Sequence, residues 1–156
     1  MARTDLELQP VDLDKLMDDI VQQYPGLQPP QSEVIIKSPL QRVVGHEASL
    51  TQVISNLLGN AVKFVPSDQK PVITLWTEAR GEDLRIWVED NGIGIAAKDL
   101  TRIFGIFERV YPDKTYDGTG IGLSIVRKGV ERMGGQAGVE SELGKGSKFW
   151  IQLKRA

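Results

Sequence analysis

Two glycine-rich segments constrain the fold of this chain more than any other feature. The first, residues 90–95, begins with Asp90 and follows a strand-like apolar segment, and the second, residues 118–123, precedes a helix-like one. Glycine is found where the backbone needs a positive φ or a close approach to another group, so either segment alone would indicate only a turn. Together, and in this order, they are typical of a nucleotide-binding protein.

The composition limits the kinds of protein that the chain can be. A hydrophobic fraction of 40% and a charged fraction of 26% over 156 residues are typical of a globular chain with one core. A net charge of −2 provides no basic surface for nucleic acid, and the absence of cysteine excludes disulfides and thiolate metal sites. No apolar segment reaches the roughly 20 residues that span a bilayer. We predict one cytoplasmic domain over residues 1–156, with 1–5 as a linker or an expression remnant, and no nucleic-acid or direct membrane contact.

Hydrophobic periodicity predicts both helices and strands. Apolar residues that recur at three and four positions over residues 47–64 predict a long amphipathic helix. Asp12 is placed to cap a second helix that ends near Tyr24, and a third is expected over about 120–133. The irregular segment at about 96–118 is long for a connection inside a compact domain and is predicted to be a lid. Strands are predicted at residues 6–11, 34–36, 42–44, 72–79, 84–89, 136–141 and 147–153.

Three polar residues interrupt the apolar pattern of the helix predicted over 47–64. Asn56, Asn60 and Lys63 follow one another at spacings of one helical turn, so they share a face. Simple exposure to solvent is the alternative interpretation. Mg²⁺ prefers hard oxygen ligands and keeps several waters, so one amide oxygen together with phosphate oxygens is a sufficient site.

Each glycine segment also has a structural alternative. Asp90 ends a strand, and its carboxylate can accept the exocyclic amino hydrogen of adenine, for which guanine has no matching donor. The alternative is an Asx-turn before Gly92. The second segment opens a helix whose N–H groups and positive dipole end can face phosphate, and the alternative is a flexible loop. No βαβ unit surrounds it, so a nicotinamide enzyme is improbable.

Four motifs in this order resemble the ATP-binding domain of sensor histidine kinases, within the GHKL ATPase superfamily. The motifs occupy residues 56–64, 90–95, 104–109 and 118–123. The resemblance implies an α/β two-layer sandwich in which a mixed, mostly antiparallel sheet of about five strands packs on three helices. ATP would lie between the helices and the lid.

The resemblance also implies a role for individual residues. Asn60 would be the Mg²⁺ ligand, Asn56 would support the site, and Lys63 would reach the phosphates, so these three are the expected catalytic residues. Asp90 would read adenine. The other expected ATP contacts are Gly92, Gly94, Ile95, Phe107, Arg109, Gly118, Thr119, Gly120, Ile121, Gly122 and Leu123.

The amide at Asn56 bears on the type of reaction. Hydrolytic members of the superfamily carry a glutamate one turn before the metal-binding asparagine, and a carboxylate there can activate water, whereas an amide cannot. The resemblance therefore implies transfer of the γ-phosphoryl group to a histidine on a dimerisation helical hairpin absent from this chain, and from there to a response regulator receiver domain. We expect the isolated chain to be a monomer that does not autophosphorylate, although its parent protein could be membrane-anchored.

Three other functions remain open. They are an ATPase of the same superfamily, a serine kinase of the anti-sigma-factor type, and a non-catalytic module that senses ATP and binds other proteins.

Two further motifs are assigned structural roles. His46-Glu47 is similar to the phosphoacceptor dipeptide of histidine kinases, but it lacks the arginine and proline that usually follow, so we expect His46 to cap a helix. Residues 144–147 (Gly-Lys-Gly-Ser) faintly resemble a P-loop, but they lie between two predicted strands, so we expect a hairpin turn.

Overall fold

The computed structural model describes residues 6–100 and 122–156, and these form seven strands and three helices. Two single-turn 3₁₀ helices, Pro25–Leu27 and Ala97–Asp99, lie in connections. The elements in chain order are β1 (Gln9–Val11), α1 (Leu13–Gln23), β2 (Glu33–Ile36), β3 (Val43–Gly45), α2 (Glu47–Lys63), β4 (Val72–Arg80), β5 (Asp83–Asp90), α3 (Gly122–Arg132), β6 (Gln136–Ser141) and β7 (Ser147–Lys154).

The main sheet has five strands in the order β2-β4-β5-β7-β6. β2 pairs with β4 in parallel, and every other neighbouring pair is antiparallel. Alternate residues face the helices and are fully buried, as Leu75, Ile86 and Ile151 illustrate. The predicted two-layer sandwich with a mixed, mostly antiparallel sheet is therefore confirmed.

A second, two-stranded sheet differs from the prediction. The strand predicted over 6–11 is limited to Gln9–Val11, and it pairs with β3 apart from the main sheet. Val43 of β3 also forms a bridge to Arg155. Strands of three residues carry too little alternation to reveal their partners, so only the packed structure selects this pairing.

The first two helices begin where the sequence predicts. Asp12 caps α1, since its Oδ1 accepts a hydrogen bond from the Lys15 N–H at 3.2 Å. His46 caps α2, since its Nδ1 accepts from the Ser49 N–H at 3.3 Å. The expected capping role of His46 is thus confirmed.

The face of the sheet opposite the helices carries a row of three tryptophans on adjacent strands. Trp76 and Trp87 are stacked with ring centroids 5.7 Å apart, and Trp150 follows at 6.5 Å from Trp87. The guanidinium of Arg85 lies 3.7 Å from the Trp150 ring centroid. The Trp87 indole N–H donates to the Glu78 carboxylate at 3.1 Å. All three tryptophans lie within the strands predicted at 72–79, 84–89 and 147–153.

Helices α2 and α3 pack antiparallel, and this arrangement positions the candidate site. Near one end the His46 N–H contacts the Met133 Sδ at 3.3 Å, and further along a Cβ at Gly129 would lie 2.7 Å from the Val53 side chain. Gly122 precedes Gly129 by seven residues, and Asn60 follows Val53 by seven. Because both helices rise by about 1.5 Å per residue, the start of α3 lies level with Asn60.

No helix within the described ranges is long and apolar enough to cross a membrane.

Candidate nucleotide site

One polar face of α2 carries Asn56, Asn60 and Lys63. Both asparagines are partly buried and Lys63 is exposed. The Asn56 amide donates to the Gln52 carbonyl at 2.9 Å, which fixes its orientation. The Asn60 amide oxygen projects from the same face as Lys63. Asn56, Asn60 and Lys63 thus share one face of α2, and no described residue forms a hydrogen bond with the Asn60 side chain.

The end of α2 contacts the loop formed by residues 90–95. The Ile93 N–H donates to the Phe64 carbonyl at 3.1 Å. A Cβ added at Gly92 would lie 2.7 Å from the same carbonyl oxygen, so only glycine fits there without a shift. The structure therefore joins the asparagine face of α2 to the 90–95 loop.

The start of α3 completes the group of elements around Asn60. Within the described residues α3 begins with Gly122 and Leu123, and the N–H groups at the N-terminal end of a helix have no partners within the helix. Its partial positive charge therefore lies level with the Asn60 amide. Predicted contacts outside the described residues are Phe107, Arg109, Gly118, Thr119, Gly120 and Ile121, together with most of the predicted lid.

Asp90 ends β5 and is 8% exposed. Its Oδ1 accepts hydrogen bonds from the Gly92 N–H at 2.8 Å and the Ser147 N–H at 3.3 Å. The Asx-turn alternative is thus present. No described residue donates to Oδ2, so the turn and a ligand contact are compatible, one on each carboxylate oxygen.

Burial raises the pKa of the Asp90 carboxyl from 3.8 to about 6. The two backbone donors lower the pKa and the nearby Glu89 raises it, but loss of hydration is the largest cause. The folded state therefore binds this proton more tightly than the unfolded chain between pH 3.8 and about 6. The contribution of Asp90 to the free energy of unfolding consequently falls as the pH rises through that range.

This pH dependence can be measured against Asp90→Asn, which removes the titrating group. We expect the wild type to lose about 2 kcal/mol of stability relative to the variant between pH 4 and pH 7, which is most of the energy that corresponds to the pKa difference. Urea unfolding of both proteins at the two pH values gives the comparison. A stability difference that is the same at both would contradict the raised pKa.

The turn between β6 and β7, residues 142–146, supports the 90–95 loop. The Gly144 N–H donates to the Ile93 carbonyl at 2.8 Å. Gly94 has a φ of 77°, and a Cβ there would lie 2.1 Å from the Glu142 carbonyl oxygen. Gly146 has a φ of 78°, with its Cβ position 2.2 Å from the Asp90 carbonyl oxygen. Gly94 of the loop and Gly146 of the turn are therefore needed for close contacts within the protein's own backbone.

Sequence reasoning missed Ser141, Ser147 and the function of the 142–146 turn. The prediction that residues 144–147 form a hairpin turn is correct, but it gave the turn no part in the site. The Ile95 N–H donates to the Ser141 hydroxyl at 2.8 Å, and Ser147 lies opposite Asp90 in the β5–β7 register. A pairing between distant strands cannot be read from the chain order, although a Gly-x-Gly-Ser turn at a strand start was the available signal.

Comparison with known proteins agrees with this geometry. Residues 45–156 match the family described as histidine kinase-, DNA gyrase B- and HSP90-like ATPases. The chain belongs to this family. Within it, the chain is 45% identical to the sensor histidine kinase AruS of Pseudomonas aeruginosa over 116 residues, which are 72% of this chain. It is 35% identical to cyanobacterial phytochrome B of Nostoc sp. strain PCC 7120 over 156 residues, 99% of this chain.

A solved ATPase-family structure is also similar. The crystal structure of full-length ShkA in complex with AMPPNP superposes with a TM-score of 0.78 at 33% identity, over 99% of this chain and 33% of that one. The predicted resemblance to the ATP-binding domain of sensor histidine kinases is confirmed. The chain spans 12% of AruS and 21% of phytochrome B.

Proposed function

We propose that this chain binds Mg²⁺–ATP between α2, the 90–95 loop and the start of α3, and presents the γ-phosphoryl group to a histidine on a separate helical hairpin. The observation that carries the proposal is the buried Asp90 carboxylate, whose Oδ1 accepts from the Gly92 and Ser147 N–H groups and whose Oδ2 has no partner among the described residues. ShkA, whose structure is similar to this chain, was solved in complex with AMPPNP, an ATP analogue, and this supports ATP as the ligand.

Asp90 selects adenine in this proposal. The ionised carboxylate accepts a hydrogen bond from the 6-amino group of adenine, and guanine presents an oxo group there instead. Hydrogen bonds in a poorly hydrated site are stronger than those in water, so the burial of Asp90 increases the discrimination. Gly92, Gly94 and Ile95 form the loop beside the base.

The Asn60 oxygen is the protein ligand for Mg²⁺. The described residues include no cluster of three or more histidine, aspartate or glutamate side chains that could hold a metal ion. An amide oxygen fits an ion that enters with the phosphates and keeps several waters. When bound, Mg²⁺ neutralises phosphate charge. Lys63, Gly122 and Leu123 provide positive charge and N–H donors for the phosphates.

Asn56 directs the reaction towards transfer. Its amide is tied to the Gln52 carbonyl, and an amide cannot take a proton from an attacking water. ATP is therefore held for transfer to another acceptor. The site contributes to this transfer by positioning the phosphates and neutralising their charge. In this proposal the acceptor is a histidine on the dimerisation hairpin of a parent sensor kinase, which operates in the cytoplasm and passes the phosphoryl group to a response regulator. Phe107, Arg109 and residues 118–121 supply the lid contacts.

The test uses ATP labelled at the γ-phosphate. We expect the isolated chain to acquire no acid-labile label, and to label the histidine of an added dimerisation hairpin from a relative such as AruS. Omission of Mg²⁺, or Asn60→Ala, should reduce the labelling at least 100-fold, since loss of one transition-state ligand typically has effects of that size. Self-labelling at His46, or steady phosphate release without an acceptor, would contradict the proposal.

A further inference from the structure

The hydroxyl of Ser141, at the end of β6, lies at the junction of the 90–95 loop and the 142–146 turn. It accepts a hydrogen bond from the Ile95 N–H at 2.8 Å. It also lies 2.9 Å from the Gly146 carbonyl oxygen and 2.7 Å from the Ser147 hydroxyl. One side-chain oxygen therefore contacts three separate groups.

The capacity of a hydroxyl fixes the direction of these bonds. A serine hydroxyl has one hydrogen to donate and two lone pairs to accept with. The Gly146 carbonyl can only accept, so it receives the Ser141 hydrogen. The Ile95 N–H and the Ser147 hydroxyl then donate to Ser141. The Ser141 hydroxyl thus makes all of its hydrogen bonds within the protein. It can affect ligand binding only through the residues that it contacts.

Those neighbours hold both ends of the 90–95 loop. Ser141, Ser147 and Asp90 form one row across the adjacent strands β6, β7 and β5, since the register pairs Ser141 with Ser147 and Ser147 with Asp90. The Ser147 N–H donates to the Asp90 Oδ1 at the start of the loop, while the Ile95 N–H is held directly at its end. The position of the other carboxylate oxygen, Asp90 Oδ2, therefore depends on this row.

We infer that Ser141 is a positioning residue for Asp90, whose hydroxyl fixes both ends of the 90–95 loop and so sets the preference of the site for a 6-amino purine. The inference rests on the proposed binding of ATP. A hydrogen bond to the 6-amino group requires accurate placement of the carboxylate oxygen, whereas the proposed phosphate contacts lie on α2 and α3. Loss of the Ser141 hydroxyl should therefore reduce selectivity for the base more than binding in general.

The experiment compares ATP with purine riboside triphosphate, which lacks the 6-amino group, by isothermal titration calorimetry at pH 7.5. We expect Ser141→Ala to weaken ATP binding about tenfold and binding of the analogue less than threefold. Only ATP forms the hydrogen bond to Asp90 that the displaced carboxylate would lose. Ser141→Thr keeps the hydroxyl and should retain the wild-type ratio. Ser141→Cys replaces the hydroxyl with a thiol, which is a weak hydrogen-bond acceptor of similar size. This variant takes the place of Ser141→Ala if the alanine variant is not folded at the assay temperature.

A core variant controls for lost stability. Ile151→Val removes a methylene from a fully buried residue of β7, and it should lower the melting temperature without changing the ratio of the two affinities. A Ser141→Ala or Ser141→Cys protein that keeps the wild-type ratio would overturn the inference while leaving ATP binding intact. A wild-type protein that binds no ATP would instead overturn the proposed function.

Discussion

Replacement of Asp90 by asparagine is expected to weaken ATP binding about 100-fold at pH 7.5 while leaving the protein folded. A hydrogen bond to a charged group contributes about 1.5–3 kcal/mol, and the amide would also direct an N–H towards the donor on adenine, so a loss near 2.7 kcal/mol is reasonable. Folding should not suffer, because the asparagine oxygen can still accept from the Gly92 and Ser147 N–H groups. Removal of a buried carboxylate with a raised pKa favours the folded state above about pH 6.

Calorimetry and thermal unfolding separate these two effects. Asp83→Asn, the same isosteric change at the opposite end of β5, should leave ATP affinity unchanged. The affinity of the wild type should also fall as the pH drops below about 6, where Asp90 takes up a proton, whereas that of Asp90→Asn should not follow this titration. Equal losses of stability and affinity in Asp90→Asn would mean that Asp90 serves only its Asx-turn.

Elements with strong local periodicity were predictable from the sequence. The apolar positions of α1 and α2 are the buried positions of the structure, and the strands predicted at 72–79 and 84–89 match β4 and β5 within one residue at each end. These patterns depend on residues within one or two turns of each other. The pairing of β1 with β3 was not predictable, because three-residue strands are selected by tertiary contacts rather than by their own pattern.

The candidate site divides in the same way. Asp90 and the asparagine face of α2 carry their chemistry in a local motif, so they could be proposed as site residues from the sequence. Ser147 contributes through a backbone N–H, a group that every residue except proline has, and it reaches Asp90 across 57 positions of the chain. A hydroxyl such as that of Ser141 is equally uninformative until the strand register is known. Motifs identify groups that contact ligands more readily than groups that support them.

Gly94→Ala tests whether the 142–146 turn supports the 90–95 loop. An alanine at a φ of 77° costs about 1 kcal/mol, and its Cβ would lie 2.1 Å from the Glu142 carbonyl oxygen. That oxygen belongs to the backbone and cannot rotate away, so the 90–95 loop and the 142–146 turn must separate. Separation would weaken the Gly144–Ile93 and Ile95–Ser141 hydrogen bonds, each worth about 1 kcal/mol. We expect a total loss of about 3 kcal/mol in the free energy of unfolding, together with weaker ATP binding.

Gly144→Ala is the matched control for this test. Gly144 lies in the 142–146 turn with a φ of 81°, but a Cβ there meets nothing within 4 Å. It therefore carries the conformational penalty without the clash, and we expect a loss of about 1 kcal/mol and unchanged ATP affinity. Urea unfolding and calorimetry on both variants measure the two quantities. If Gly94→Ala loses no more than Gly144→Ala in either measurement, close contact between the loop and the turn is not what holds Asp90 in place.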